Sequence, residues 1–339
     1  MLKRIVQRTA SRLIWKAVLT AFFVLVAAGA ASSAERVRFM TNWKAQAEHG
    51  GFYQAIATGI YKKYGLDVKL RMGGPGANNS QLLAGGAIDI NLATNTSQAL
   101  NFLKNNVPMI TVAAIYQKDP QVLISHPGQG NDSIAAMQGK PILISTAART
   151  TWWQFFKIKY GFKDSQIRRY TFQMAPFLVN KKAIQQGYVT SEPFYIKKEG
   201  VDPIVNLIAD AGWPSYSAML TTSKDWVDNK TDVVRKFVNG SIEGWYSYLY
   251  GNPAPANVLI RKDNKEMKDA QIVFGIAQMK KHGIVDSGDA KKLGIGAMTQ
   301  ARLKAFFEVM SQAGLFDKNL PYMKAFDLRF VNKKHGMKM

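Results

Sequence analysis

Residues that could carry out chemistry are present in this 339-residue sequence, but they form no familiar catalytic or metal-binding pattern. The four histidines, His49, His126, His282 and His335, show neither the HExxH motif nor another spacing typical of metal ligands. Cysteine is absent, which excludes a thiolate metal site, a thiol nucleophile and a disulfide framework. The GxSxG and P-loop motifs are also absent, as is a GxGxxG motif opening a helix. The sequence therefore predicts no catalytic residues, no metal and no cofactor, and it favours binding over catalysis.

The chain is strongly basic, with 45 Lys and Arg residues against 23 Asp and Glu residues and a formal net charge of +22. These charges are scattered in doublets such as Lys62-Lys63 and Arg168-Arg169, without a long basic run or an RNA-binding or finger signature. A solvated basic surface is therefore favoured over nucleic-acid binding, and attraction of anions towards a cleft stays open. A hydrophobic fraction of 47% indicates a folded globular chain.

Residues 1–34 have the three-part plan of a secretory signal peptide. A basic stretch runs to Lys16, an apolar stretch follows from Ala17 to Ala31, and Ser32-Ser33-Ala34 supplies small residues for a cleavage site. The alternative is a membrane anchor, but a bilayer-spanning helix needs about 20 apolar residues and this run is shorter. We therefore expect export through a cleaved signal peptide and a soluble periplasmic protein.

The elements that would position a site alternate between strands and helices along the rest of the chain. Alternating or continuous apolar runs predict strands at 37–40, 66–72, 88–93, 109–116, 141–145 and 168–172. Helical spacing predicts helices at 51–63, 80–84, 97–104 and 150–160, and then at 225–250, 265–282 and 299–313 in a mainly helical final part. This alternation is typical of α/β folds built on parallel, doubly wound sheets.

Three segments resemble a known family. They are Asn42–Leu70, with the letters NWKAQAEHGGFYQAIATGIYKKYGLDVKL, then Gln81–Ile90 (QLLAGGAIDI), and Thr190–Phe194 (TSEPF). Together they resemble the periplasmic solute-binding proteins of ABC transporters that bind pyrimidine precursors of thiamine, sulfonates, nitrate or taurine. The resemblance implies a two-lobed, type II-like binding protein in which each lobe is a doubly wound sheet flanked by helices. One lobe would comprise 35–122 and 219–339, and the other 123–218.

The resemblance also implies how such a protein works. A small solute would be buried between the lobes and passed unchanged to permease and ATPase subunits at the inner membrane, with the binding protein acting as a monomer and not as an enzyme. One branch of the family is enzymatic, and these pyrimidine-precursor synthases consume their own His and a pyridoxal-bearing Lys near the third strand. Residues Ile90–Leu100 contain neither Lys nor His here, which argues against that branch.

Four residues match positions that surround a planar heterocycle in the aminopyrimidine-binding branch: Asn42, Trp43, His49 and Glu192. A carboxylate can form paired hydrogen bonds with a ring nitrogen and its neighbouring amine, and a tryptophan can offer an aromatic face. The alternatives are ordinary structural roles. Trp43 could pack in the core, His49 could cap the first helix, and Glu192 could be a helix-starting acid.

Other candidates follow the third strand and the corresponding strand of the middle segment, or lie near the second crossover between lobes. These are Asn95, Thr96, Thr146, Arg149, Thr150, Trp152, Trp213 and Tyr216. Small polar residues at a helix start are also common N-caps. Arg149 could hold an anion, which leaves a sulfonate, taurine or nitrate-like ligand as the alternative to a thiamine-pyrimidine precursor or related heterocycle.

Overall fold

The computed structural model describes residues 34–74 and 77–337 of the chain. In this part of the chain, ten strands form two five-stranded sheets. The strands are β1 (Glu35–Met40), β2 (Leu66–Arg71), β3 (Ile90–Asn95), β4 (Met109–Tyr116), β5 (Gln121–Ser125), β6 (Ile142–Ile144), β7 (Ile167–Arg169), β8 (Ile184–Tyr188), β9 (Ile204–Leu207) and β10 (Ser217–Ser223). Except for Ala34, the predicted signal peptide lies outside the described residues.

Helices flank both sheets and make up most of the chain after β10. They are α1 (Gly50–Ala57), α2 (Ile60–Lys63), α3 (Asn79–Ala84), α4 (Thr96–Lys104), α5 (Trp152–Tyr160), α6 (Ala175–Val179), α7 (Glu192–Lys198), α8 (Lys224–Asn229), α9 (Thr231–Tyr250), α10 (Ala254–Asp263), α11 (Asp269–His282), α12 (Ala290–Leu293) and α13 (Gln300–Gln312). None of the helices in residues 34–74 and 77–337 is both long and apolar enough to cross a bilayer.

Both sheets are mixed, which corrects the expectation of parallel sheets. The first has the order β2-β1-β3-β10-β4, in which β1 is parallel to β3 and β10 is antiparallel to both of its neighbours. The second has the order β7-β6-β8-β5-β9, in which β6 is parallel to β7 and β8, and β5 is antiparallel to β8 and β9. The antiparallel strands β5 and β10 are those by which the chain enters each sheet from the other.

Most predicted elements lie close to their expected bounds, and two predicted helices are divided. The helix predicted over 51–63 is split into α1 and α2 by Gly59, whose φ of +74° is left-handed backbone that glycine adopts readily. The helix predicted over 225–250 is split into α8 and α9. The strand predicted over 88–93 is observed two residues later, as β3.

Close contact between α1 and α9 fixes the start of α1. A Cβ atom at Gly51 would lie 2.3 Å from the Trp245 ring, and one at Gly244 would lie 2.2 Å from the carbonyl oxygen of Gly51. Only residues without a side chain allow the two backbones to approach this closely. This contact holds the turn before α1, which carries Glu48 and His49, in one place.

The two segments that connect the sheets are bonded to each other. Lys118, between β4 and β5, forms a 2.6 Å ion pair with Asp210, which lies between β9 and β10. The Trp213 indole nitrogen donates a 3.3 Å hydrogen bond to Asp119 across the same pair of segments. The lobe boundaries near 122 and 218 stay a prediction, but these segments are where the chain passes between the sheets.

Arg302, on α13, ties the same two segments together from a third element. Its guanidinium donates to the carbonyl oxygens of Pro214 at 2.9 Å and Ser215 at 3.0 Å, and also to that of Gln117. One side chain of the final helical part therefore satisfies backbone groups of both connections, so all three elements are fixed relative to one another.

Candidate functional site

A cavity of about 330 Å³ lies where the carboxyl ends of strands from both sheets meet. This volume is at the lower end of the range of small-molecule sites. It is lined, among others, by Asn95 at the end of β3, Tyr116 at the end of β4, and Tyr188 at the end of β8. Ligands of open α/β sheets bind at such strand ends, so this cavity is the candidate site.

Two sets of lining residues face each other across the cavity. The first wall, contributed around the first sheet, comprises Asn42, Trp43, Glu48, His49 and Asn95. The second wall, contributed around the second sheet, comprises Ser145, Ala148, Phe172, Tyr188 and Glu192.

Hydrogen bonds within the first wall fix the orientation of Asn42 and His49. The Asn42 side-chain nitrogen donates to the Thr94 hydroxyl at 3.3 Å, and the Asn42 side-chain oxygen lies within hydrogen-bond distance of His49 Nε2, at 3.1 Å. Burial lowers the pKa of His49 to about 3, against the opposing effect of a backbone hydrogen bond with Lys44.

Asn95 has two roles in the first wall. It lines the cavity, and its side-chain oxygen accepts a 3.1 Å hydrogen bond from the backbone nitrogen of Ser97, capping α4. Asn95 therefore both caps α4 and lines the cavity, so its two predicted roles do not exclude each other.

Glu48 is a buried carboxylate of the first wall that sequence analysis missed. It lies in the 3-10 turn Ala47–His49, and its side chain accepts a hydrogen bond from the Thr190 hydroxyl. Its backbone oxygen accepts a 2.6 Å bond from Tyr116. Burial, with a smaller contribution from the nearby charge of Glu192, raises the pKa of Glu48 to about 7. Its only signal in the sequence was its position beside His49.

Glu192 begins α7 and is held by two hydrogen bonds in the second wall. The Tyr188 backbone nitrogen donates to Oε2 at 2.7 Å and the Tyr170 hydroxyl donates to Oε1 at 3.0 Å. A Cβ atom at Gly187 would lie 3.1 Å from the Glu192 side chain, so any larger residue at this position of β8 would crowd the carboxylate. Burial raises the pKa of Glu192.

An aromatic contact joins the two walls. The Trp43 and Phe172 ring centroids are 5.3 Å apart at 45°, and Phe172 packs in turn on Tyr170 at 5.2 Å. Phe172 is 51% exposed and has a φ of +62°, an unfavourable backbone conformation for a bulky residue. The strand predicted over 168–172 ends at Arg169 in the structure, and no sequence pattern indicated that Phe172 would reach the cavity.

Two glutamines of the lining form a polar network beneath it. The Gln186 side chain donates to Gln121 at 2.8 Å and accepts from the Ser145 backbone nitrogen at 2.8 Å. Gln121 donates in turn to Asp119, whose pKa burial raises to about 6. Gln186 and Tyr188 both line the cavity because alternate residues of a strand share a face. Sequence analysis did not single out either glutamine.

Three residues predicted in the middle segment lie outside the cavity lining. Thr146, Arg149 and Thr150 are exposed, because residues 147–150 form a 3-10 turn. This turn directs Ala148 into the cavity instead, with Ala147 and Thr151. A ligand contact by Arg149 is therefore not supported by its position.

The remaining predicted contacts are buried outside the lining. Trp152 is fully buried and donates to Gln121 at 2.8 Å, so it supports a lining residue without facing the cavity. Trp213 packs between Phe155 and Phe306. These large apolar rings are core residues, as their burial requires.

Thr96 and Tyr216 are likewise engaged within the protein. The Thr96 hydroxyl accepts a 3.1 Å hydrogen bond from the Tyr216 backbone nitrogen. The Tyr216 ring lies 4.1 Å from the Arg302 guanidinium, and its hydroxyl donates to Asp289. Tyr216 therefore stacks on a cation of the protein and lies outside the described cavity lining.

The cavity is acidic although the chain is basic. Its described lining includes the carboxylates Glu48 and Glu192 and contains neither Lys nor Arg. The basic doublets are thus placed on other surfaces, and the cavity offers hydrogen-bond acceptors, an aromatic face and partial negative charge.

Comparison with known proteins places this chain in a family. The sequence profile of the family described as NMT1/THI5 like matches residues 46–256. The formylaminopyrimidine-binding protein of Halalkalibacterium halodurans is 25% identical over 248 residues, which are 68% of this chain and 72% of that protein.

Solved structures show the same fold. The periplasmic aliphatic sulphonate-binding protein SsuA of Escherichia coli has a TM-score of 0.67 at 11% identity, covering 86% of this chain and 91% of that chain. The desulfurization enzyme DSZB has a TM-score of 0.56 at 10% identity, covering 87% of this chain and 97% of that chain. The predicted two-lobed α/β fold of periplasmic binding proteins is confirmed; function does not follow from fold alone.

Proposed function

This chain belongs to the NMT1/THI5-like family, and we propose that it is the periplasmic solute-binding component of an ABC importer. Its ligand is an aminopyrimidine of the thiamine-precursor type or a related planar heterocycle, bound between the two walls. The observation that carries this proposal is that Trp43 and Glu192 line one cavity from opposite walls.

The geometry supports specific roles for these residues. Glu192 offers a carboxyl group already oriented by Tyr188 and Tyr170. It can accept from the exocyclic amine and, with the ring nitrogen protonated, from that nitrogen as well, which makes the pair charge-assisted. Trp43 offers an aromatic face to the ring. His49 and Asn42 hold each other in place and add polar contacts. The formylaminopyrimidine-binding relative supports this ligand class.

The cavity lining gives less support to the alternative ligand, which is an anion such as a sulfonate, taurine or nitrate. An anion site needs a cation or converging donors. The described lining has no basic side chain, and Arg149 lies outside it. The likeness to the sulphonate-binding protein supports the fold and not this ligand.

The rest of the proposal concerns the transport cycle. We propose that the chain is exported by its signal peptide, divides into lobes near 122 and 218, and closes as a monomer on its ligand. Permease and ATPase subunits would then receive the ligand unchanged. A hydrolytic role would need a nucleophile with its base, and the residues lining the cavity do not suggest such a pair.

The test is a calorimetric titration of the exported protein with hydroxymethyl, aminomethyl and formylaminomethyl aminopyrimidines. We expect at least one to bind, and Glu192→Gln to weaken that binding about a hundredfold, since it removes a charge-assisted pair worth about 3 kcal/mol. Glu199→Gln, at the exposed end of the same helix, is the matched control.

Two outcomes would contradict the proposal. The first is no heat and no thermal shift with any of the three compounds; binding of a sulfonate that survives Glu192→Gln would then favour the anionic alternative. The second is conversion of a bound pyrimidine to product, detected by mass spectrometry, which would make the protein an enzyme.

A further inference from the structure

We propose that Glu48 is a second ligand-binding carboxylate and that it selects ligands carrying a positive charge beside the pyrimidine ring. The inference deepens the proposed function and rests on it. It names the ligand class as an aminopyrimidine with a protonated amino substituent, and predicts discrimination against hydroxymethyl and formylated analogues.

The position of Glu48 carries this inference. Glu48 lies in the first wall and Glu192 in the second, so the two carboxylates approach the cavity from different sheets. A planar ring paired with Glu192 and resting against Trp43 would direct a substituent towards the first wall. Glu48 is the acidic side chain there among the described lining residues.

Glu48 also retains capacity to bind a ligand. Its side chain is 6% exposed, and Thr190 is its only hydrogen-bonding side chain in the described part of the chain. The Thr190 hydroxyl occupies Oε1, which holds the carboxylate in position.

None of the charged groups that act on Glu48 within the described residues is a cation. The titratable groups that act on it or respond to it are Glu192, Tyr116, Tyr188, Tyr195 and Tyr248. A buried carboxylate without a positive partner is costly, and nearby Glu192 adds repulsion. Its raised pKa is the expected response. A cationic ligand supplies the missing charge, whereas a neutral ligand does not.

The strength of a charge-assisted hydrogen bond sets the expected difference in affinity between charged and neutral ligands. A hydrogen bond between an ammonium group and a carboxylate is about twice as strong as one between neutral groups. We therefore expect the wild-type protein to bind the aminomethyl compound at least about tenfold more tightly than the hydroxymethyl compound. These two compounds differ in little besides the charge of one substituent.

The experiment compares both compounds on wild type, Glu48→Gln and the exposed-site control Glu199→Gln by calorimetry at slightly alkaline pH. Glutamine keeps the shape of Glu48 and can still accept from Thr190. We expect Glu48→Gln to reduce the preference for the aminomethyl compound to within about twofold, with hydroxymethyl binding unchanged. Glu199→Gln should keep the wild-type preference.

The outcomes separate this inference from the proposed function. If wild type binds both compounds equally, or prefers the hydroxymethyl compound, the role of Glu48 is overturned while pyrimidine binding stands. Retention of the preference in Glu48→Gln has the same meaning. If wild type binds no pyrimidine, both proposals fail. The wild-type comparison also decides the question if Glu48→Gln does not fold.

Discussion

The two walls of the cavity are built in different ways. Four residues of the first wall lie within eight positions of one another, from Asn42 to His49, on a turn held by the α1–α9 contact. The second wall is assembled from the ends of separate strands and includes Phe172, which is half exposed and has a positive φ. Four of the five residues of the first wall therefore form a local unit, whereas the second wall depends on the tertiary fold.

The largest expected effect is on protein stability and comes from removing the buried charge of Glu48 in the first wall. Burial raises the pKa of Glu48 from 4.5 to about 7, so between these values the folded protein binds more protons than the unfolded chain. The stability contributed by this group is present below about pH 4.5 and is lost as the pH rises through about 7. Glu48→Gln should therefore gain stability relative to wild type across this window, by up to about 3 kcal/mol.

Urea denaturation of both proteins at several pH values measures this difference. His49 has the opposite dependence, because burial lowers its pKa from 6.5 to about 3. It is present in both proteins, so its contribution cancels in the difference. A stability difference that stays constant across the window would mean that Glu48 is not held in a buried, uncompensated state.

A smaller effect, on ligand affinity, is expected at the aromatic contact between the two walls. Trp43→Ala should weaken aminopyrimidine binding by about thirtyfold, since aromatic stacking of a base contributes about 2 kcal/mol. Trp226→Ala removes a half-buried tryptophan outside the cavity and serves as the control. Equal losses in the two variants, measured by calorimetry, would indicate a general effect on folding.

The smallest expected effect concerns the second wall. Arg149→Ala should leave ligand affinity within about twofold of wild type, because this side chain is exposed and outside the cavity lining. A loss of about tenfold or more in the same titration would show that the turn at residues 147–150 rearranges to meet the ligand, and would favour the anionic alternative.

The sequence predicted the first wall better than the second for a physical reason. Asn42, Trp43 and His49 belong to one contiguous motif, so their mutual positions depend on local turns. Arg149 depends on the direction of a 3-10 turn, and Phe172 on a backbone conformation that its residue type disfavours. Neither can be inferred from periodicity.

The fold shows the same limit. Strands with clear apolar runs, such as β4, were predicted at their observed bounds. The entering strands β5 and β10 were not predicted, because β5 is short and β10 is rich in Ser and Thr. Since these two strands are antiparallel to their neighbours, missing them also led to the wrong expectation of parallel sheets.

The bonds between the two connecting segments limit how the molecule can open. The two connections are joined by the Lys118–Asp210 ion pair, by the hydrogen bond from Trp213 to Asp119, and by Arg302. Because they are bonded together, we expect the two connections to move as one. If the protein opens and closes on a ligand as proposed, the two sheets should therefore rotate about a single axis.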